Sequence, residues 1–171
     1  MSIVINLLLH ILQSKPIVDY ESNWRIKRST LYMTIAKIMS FRGTCNRGGR
    51  PGCVIVKDNR IVSTGYAGSP PYQDHCIDVG CDIKDNGCIA TLHAEANAVA
   101  WAAREGISIK GATMYCTLSP CLFCAKIIVT SGIDCVWYLE KYRDISGIEY
   151  LEKCNISVIP FEDVDDNATL L

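Results

Sequence analysis

Residues 112–140 read ATMYCTLSPCLFCAKIIVTSGIDCVWYLE, and this run decides the architecture. Ala112 to Leu118 is a β-branched and aromatic strand. Ser119 suits an N-cap and Pro120 the first helical position, so a helix is expected from there to Ser131, stopped by Gly132. Asp134 to Glu140 is a second strand, Ile145 to Lys153 a helix and Ile156 to Pro160 a third strand. A β-α-β-α-β run implies parallel strands joined by right-handed crossovers.

Upstream, Cys53 to Lys57 and Arg60 to Tyr66 are β-branched runs joined by Asp58-Asn59, which tolerate the positive φ of a two-residue hairpin turn. From Trp24 to about Met39, Ile26, Leu31, Ile35, Ile38 and Met39 recur at helical spacing, with basic residues on a solvated face. A further helix is expected from Leu92 to Glu105, with Leu92, Ala96, Val99, Ala100 and Ala103 on one face and Gly106 as its stop. Together these give a three-layer α/β/α sandwich on a mixed five-stranded sheet. Residues 24–160 form the domain, 1–23 an N-terminal appendage and 161–171 an acidic tail.

The 171 residues suffice for one self-supporting core, and a net charge of −1 supplies no long-range field for nucleic acid. Small-molecule chemistry is the expectation, with no nucleic-acid partner. The apolar run Ile3 to Leu12 is too short to span a bilayer, lacks a preceding Lys or Arg, and is broken by Asn6 and His10. It reads as a packing helix, without a membrane role. Ten cysteines without an export signal then point to a reducing, cytoplasmic compartment (a host's, if the source is viral) in which thiols serve as metal ligands.

His93, Cys121 and Cys124 supply one imidazole and two thiolates, a three-ligand zinc site with its fourth position left for water. Cys121 and Cys124 are three apart at a helix start, where the dipole favours thiolate. His93 is expected in the first turn of its own helix. Glu95, two residues on, then points about 200° away and is suited to be the proton carrier rather than a ligand. Zinc lowers the pKa of its water toward about 7, and Glu95 could take up and pass on the proton released there.

A second group, Cys45, Cys76, Cys81 and Cys88, is compatible with a closed second zinc site, in which His75 could replace one thiol, or with free buried thiols. Such a site would tie down the aperiodic loop from Ala67 to Ala90. Cys53, Cys116, Cys135 and Cys154 fall on or beside expected elements and read as small core residues. The segment from Arg42 to Pro51 carries Arg42, Arg47 and Arg50 among glycines, either a phosphate cradle or a solvated turn.

His-x-Glu followed by Pro-Cys-x-x-Cys resembles the signature of zinc nucleobase deaminases. From about residue 24 to 160 the chain is similar to the phage and bacterial deoxycytidylate (dCMP) deaminases. The motifs are Gly65-Tyr66-Ala67-Gly68-Ser69-Pro70, His93 to Val99, Gly111 to Cys121 and Ser131-Gly132-Ile133. The resemblance implies hydrolysis of dCMP to dUMP and ammonia for thymidylate synthesis, with dCTP or another cytosine nucleotide as alternative substrate, or an inactive nucleotide-binding relative. It implies catalytic zinc on His93, Cys121 and Cys124, with Glu95 as proton shuttle. Ser119 is implied near the substrate amino group and Tyr142 near the nucleotide. A homo-oligomer, often a hexamer, activated by dCTP and inhibited by dTTP is implied as well. Two departures stand out: Ala67 replaces an asparagine that contacts the sugar, and Arg143 stands where some relatives have aspartate.

Overall fold

The computed structural model describes residues 26–45, 47, 50–84 and 87–162. Its elements are α1 (Arg28–Ser40), β1 (Gly52–Lys57), β2 (Arg60–Tyr66), α2 (Cys76–Val79), β3 (Ile83–Lys84) and β4 (Gly87–Cys88). They continue with α3 (Ala94–Arg104), β5 (Thr113–Leu118), α4 (Leu122–Ser131), β6 (Cys135–Glu140), α5 (Ser146–Lys153) and β7 (Ser157–Pro160). The expected appendage and most of the acidic tail lie outside the described residues.

Five strands form one mixed sheet in the order β2-β1-β5-β6-β7. The β1–β2 and β1–β5 pairs are antiparallel, and the β5–β6 and β6–β7 pairs are parallel. This is the expected three-layer sandwich. Asp58 and Asn59 turn the hairpin with φ of 50° and 59°, as their residue types allow.

Burial of the sheet on both faces explains the near-continuous apolar runs of its central strands. On one face Cys53, Ile55, Met114, Cys116 and Val136 pack with Ala94, Ala98 and Ala102 of α3, Ala125 and Ile128 of α4 and Leu151 of α5. On the other face Val54, Val56 and Tyr115 pack against Tyr32, Met33 and Ala36 of α1. Tyr32, Tyr115, Trp137 and Phe161 run across that face with successive ring centroids 5.3, 6.1 and 6.4 Å apart.

Three expectations need correction. In α1, which starts at Arg28 rather than Trp24, the buried residues are Tyr32, Met33 and Ala36. Of the expected apolar residues Ile35 and Met39 pack against that core, whereas Leu31, Ile38 and Ile26 before the helix are exposed, because apolar residues lie all round this helix. In α3 the buried positions include Ala94, Ala98 and Ala102, spaced by four; Ala100 and Ala103 are exposed. The third correction concerns α4, which begins at Leu122, with Cys121 as N-cap in extended backbone, rather than at Pro120. Ser119 is engaged elsewhere, as described below. The long loop is not wholly irregular either: α2, β3 and β4 are simply too short to show a period.

Close approach explains two glycines. A Cβ on Gly65 would collide with the Ala94 carbonyl oxygen and the Ala98 backbone nitrogen, so β2 can lie against the start of α3 because nothing projects there. A Cβ on Gly147 would collide with the Pro120 carbonyl and Cys121 backbone, which α5 therefore backs directly. No described helix is long and apolar enough to cross a membrane. Gly65→Ala is expected to cost about 1–3 kcal/mol through forced backbone displacement, read as a lowered midpoint in urea denaturation. An unchanged midpoint would contradict the close β2–α3 contact.

Candidate metal centre and active site

Two helix N-termini meet beyond the carboxyl end of β5. The first belongs to α3. His93 is its N-cap, with φ −68° and ψ 155°, rather than a residue of its first turn. The preceding residue is fixed by a bridge in which the Gly68 N–H donates to the Leu92 carbonyl and the Leu92 N–H donates to the Gly68 carbonyl, at 3.2 and 2.9 Å. Asn97 Nδ2 donates to the Tyr66 carbonyl at 2.9 Å and ties α3 to the end of β2.

The second N-terminus belongs to α4. Cys121 caps it and Cys124 lies in its first turn, so both thiols face one point. The turn leading into it is held from behind. The Ser119 N–H donates to the Glu140 carbonyl and the Tyr142 N–H donates to Ser119 Oγ, both at 2.8 Å. That hydroxyl therefore holds the segment after β6 instead of capping α4. Pro120 is fully buried.

His93 Nδ1 lies 3.4 Å from Cys121 Sγ and 3.4 Å from Cys124 Sγ. Tetrahedral zinc with ordinary bond lengths separates an imidazole nitrogen from a thiolate by about 3.6 Å, so the three donors fit this metal. Glu95 is only 4% exposed and lines the same cleft as His93 and Cys121 without joining the metal-ligating cluster. The structure thus keeps Glu95 out of the donor set.

Without metal, the Cys124 thiol beside Cys121 holds the latter down to about 4, overcoming burial, with His93 adding to the effect. Cys124 is pushed well up by the neighbouring Cys121 and by burial. The hydrogen bond to Cys121 raises His93, against burial. Burial raises the Glu95 carboxyl, with nearby His93 opposing. A carboxyl so placed retains a proton further toward neutrality than an exposed one does.

The second group also comes together. Cys45, Cys76, Cys81 and Cys88 form one cluster of donor atoms, each within 4.8 Å of the others. Sγ of Cys45 lies 3.7 Å from that of Cys81, and Sγ of Cys76 lies 3.6 Å from that of Cys88. These distances suit the edges of a zinc tetrathiolate, about 3.8 Å. His75 takes no part; it is exposed and caps α2. Burial, with Cys88 nearby, raises Cys76 to about 12. Burial opposes ionisation of Cys88, yet hydrogen bonds from the Ala90 backbone and from Cys76 outweigh it and hold that thiol at about 7. Cys53 and Cys116 are buried core residues as expected, whereas Cys135 and Cys154 are half-buried.

A cleft of about 240 Å³ runs past both clusters. Its lining includes His93, Glu95, Ser119, Cys121 and Tyr142 from the reactive side and Cys45 and Cys88 from the second cluster. Ala67 lines it too, as do Arg47 and Arg143. Arg42 and Arg50 do not, so only one arginine of the early loop reaches the cavity; nothing in composition distinguishes the three.

One histidine and two cysteines as donors, beside a buried glutamate that is not a ligand, are the arrangement found in the zinc deaminases. The chain belongs to the family described as the cytidine and deoxycytidylate deaminase zinc-binding region, whose model matches residues 26–140. It is 38% identical over 119 residues to ComE operon protein 2 of Bacillus subtilis, covering 70% of this chain and 62% of that one. The chain thus spans about three fifths of that relative's length. It is 36% identical to the deoxycytidylate deaminase of Enterobacteria phage T4, covering 82% of this chain and 98% of that one. The dCMP deaminase of cyanophage S-TIM5, solved in complex with dCMP and dUMP, superposes with a TM-score of 0.71 at 31% identity, over 80% of this chain and 100% of the other.

The unequal thiols give a direct test. In chelator-treated protein at pH 6, Cys121 lies above its lowered pKa and is thiolate, whereas Cys124, Cys76 and Cys116 lie below raised ones and are protonated. Brief iodoacetamide treatment followed by peptide mass spectrometry should find Cys121 labelled first, and zinc should protect it. Equal labelling of Cys121 and Cys116 would contradict the pre-formed centre.

Proposed function

We propose that this chain is a zinc-dependent hydrolase that converts dCMP and water to dUMP and ammonia, supplying dUMP for thymidylate synthesis. Residues 24–160 are its catalytic unit. The observation that carries the reading is Glu95: a buried carboxyl, two residues after a metal-fitting histidine, that lines the cleft without joining the ligand cluster. A purely structural zinc site has no use for such a group and is ordinarily closed by a fourth protein ligand. Similarity to deaminases named for deoxycytidylate over most of the chain supports the substrate.

His93, Cys121 and Cys124 hold the catalytic zinc, which when bound supplies Lewis acidity and a water-derived nucleophile at neutral pH. Glu95 accepts a proton from the attacking water and delivers it to the ring nitrogen beside the amino-bearing carbon. It then takes the remaining proton of the added hydroxyl as the carbonyl forms and passes it to the departing amine, which leaves as ammonia. Its burial suits this shuttle, because removal from water brings a carboxyl toward the pH at which it both takes and gives a proton. Ser119 positions the amino group and Tyr142 flanks the nucleotide; the hydrogen bond between them fixes the two segments relative to each other.

A second zinc on Cys45, Cys76, Cys81 and Cys88 has a structural role in this reading, closed by four protein donors. Assembly into a homo-oligomer, control by dCTP and dTTP, and action in the cytoplasm belong to the same proposal. Trp101 on α3 and Leu122 and Phe123 on α4 are large apolar side chains left exposed, which supports assembly.

Purified, zinc-loaded full chain offered dCMP, dCTP, deoxycytidine and cytidine should release ammonia fastest from dCMP. No turnover of any of them would sink the enzyme reading, and dCTP outpacing dCMP would replace the substrate. Glu95→Ala should keep its zinc and lose about 10²–10⁴-fold in kcat. Retained activity in that variant would mean the proton carrier is another group. Metal analysis is expected to give two zinc per chain, falling to one in a Cys45→Ser, Cys76→Ser double variant; a single zinc in the unaltered chain would refute the second site.

A further inference from the structure

We infer that the four-thiol cluster is also an oxidative modification site, at which a peroxide closes two disulfides, Cys45–Cys81 and Cys76–Cys88, and so expels the metal held there. This rests on the reading of a second zinc given above and adds to it a reaction of the same four residues.

The cluster divides into two pairs by distance and by exposure. The sulfurs of Cys45 and Cys81 are 3.7 Å apart, and those of Cys76 and Cys88 are 3.6 Å apart. Each pair joins a buried residue, Cys45 or Cys76, to a half-buried one, Cys81 or Cys88. The half-buried members open to different spaces. Cys88 lines the catalytic cleft, which Cys45 also reaches with little of its surface, and Cys81 lines a separate cavity of about 360 Å³. A small uncharged oxidant therefore meets each pair at one sulfur, with its partner close behind. Proximity of two thiols alone does not give this arrangement. Cys53 and Cys116 face each other across β1 and β5 with sulfurs 3.8 Å apart, yet both are buried in the core.

Thiolate is both the metal-ligating and the nucleophilic form of cysteine. The half-buried sulfur attacks one oxygen of hydrogen peroxide, the O–O bond breaks, hydroxide leaves and a sulfenic acid forms. The buried sulfur of the same pair then attacks the oxidised one, the S–O bond breaks and a second hydroxide leaves. Two thiolates and one peroxide thus become one disulfide and two hydroxides, and the two electrons lost by sulfur are those gained by the peroxide oxygens. A disulfide offers no thiolate to a metal, so both closures together release the ion. Four thiolates outweigh the charge of a zinc ion whereas two only balance it, so the sulfurs of this cluster are better nucleophiles than those beside His93. Closure shortens each sulfur contact to about 2.05 Å and draws in the cleft wall that Cys45 and Cys88 help to form. The bonds join the chain after α1 to the chain after α2, and the start of α2 to β4. The loop therefore stays tied while the metal is absent and is ready to take it back on reduction.

The test titrates zinc-loaded full chain with hydrogen peroxide. Released zinc is followed with a chromophoric chelator, and the cysteines are mapped by acid quench, alkylation and peptide mass spectrometry. One zinc per chain should leave first, in step with the Cys45–Cys81 and Cys76–Cys88 disulfides, while Cys53 and Cys116 are still recovered alkylated. Turnover of dCMP should fall by about tenfold at that point, since misplacing groups around a reacting centre by an ångström costs up to about 10²-fold. Dithiothreitol with added zinc should restore both the metal content and the turnover. In Cys88→Ser the Cys45–Cys81 bond should still form while Cys76 enters no disulfide. Other pairings, or a Cys53–Cys116 bond that precedes these two, would overturn the inference. So would retention of both zinc ions in peroxide that oxidises cysteine itself in the same buffer. A chain that carries a single zinc from the outset yet forms the same two disulfides would refute the second zinc and leave the modification site standing.

Discussion

The structure depends on holding two helix starts, nearly thirty residues apart, close enough for one imidazole and two thiols to share an ion. His93 Nδ1 stands 3.4 Å from each sulfur. Neither residue at the helix caps, His93 or Cys121, is helical; both have extended backbone, and the chain on each side is pinned so that this conformation holds. On the His93 side the pins are the Gly68–Leu92 bridge and Gly65 beneath α3. On the cysteine side they are buried Pro120, the Gly147 contact behind it and the Ser119 hydrogen bonds to the segment after β6. A metal held by three donors gains geometry from these supports that the donors alone do not provide.

The same packing sets Glu95 apart from the ligands. Because His93 is a cap and Glu95 lies inside the helix, the two side chains diverge without the regular-helix geometry expected from their spacing. The carboxyl goes inward, loses water and rises in pKa, while the imidazole stays at the mouth of the cleft. In the proposed reading, metal ligation and proton transfer are thus divided between the N-cap and the second residue of one helix. The four-thiol cluster extends this logic outward, since it secures a loop with little regular structure of its own and places Cys45 and Cys88 on the cavity wall.

Much of this was legible in the residues. The hairpin at Asp58-Asn59, the parallel β5–β6–β7 run and the stop at Gly132 follow from local chemistry and were borne out. Both cysteine groups come together as well, although the spacings of Cys45, Cys76, Cys81 and Cys88 left a metal site and free buried thiols both open. What escaped were features that tertiary contacts decide. An alanine-rich helix has no apolar face to read, so the buried stripe of α3 had to come from Gly65 and the sheet. Ser119 and Pro120 fit a helix start by type, yet the Ser119 bond to Glu140 of β6 and the packing of Pro120 against Gly147 of α5 accompany a helix that starts only at Leu122. Three arginines in one loop are equivalent in sequence, and only the folded chain selects Arg47.

The central claim is that this centre uses water to replace the amino group of dCMP. The direct measurement is mass spectrometry of the product formed by zinc-loaded full chain in ¹⁸O-labelled water. The account predicts dUMP carrying one ¹⁸O on the base at the former amino position, with one ammonia released per dUMP. Failure to form dUMP, or dUMP without the label at that position, would contradict it.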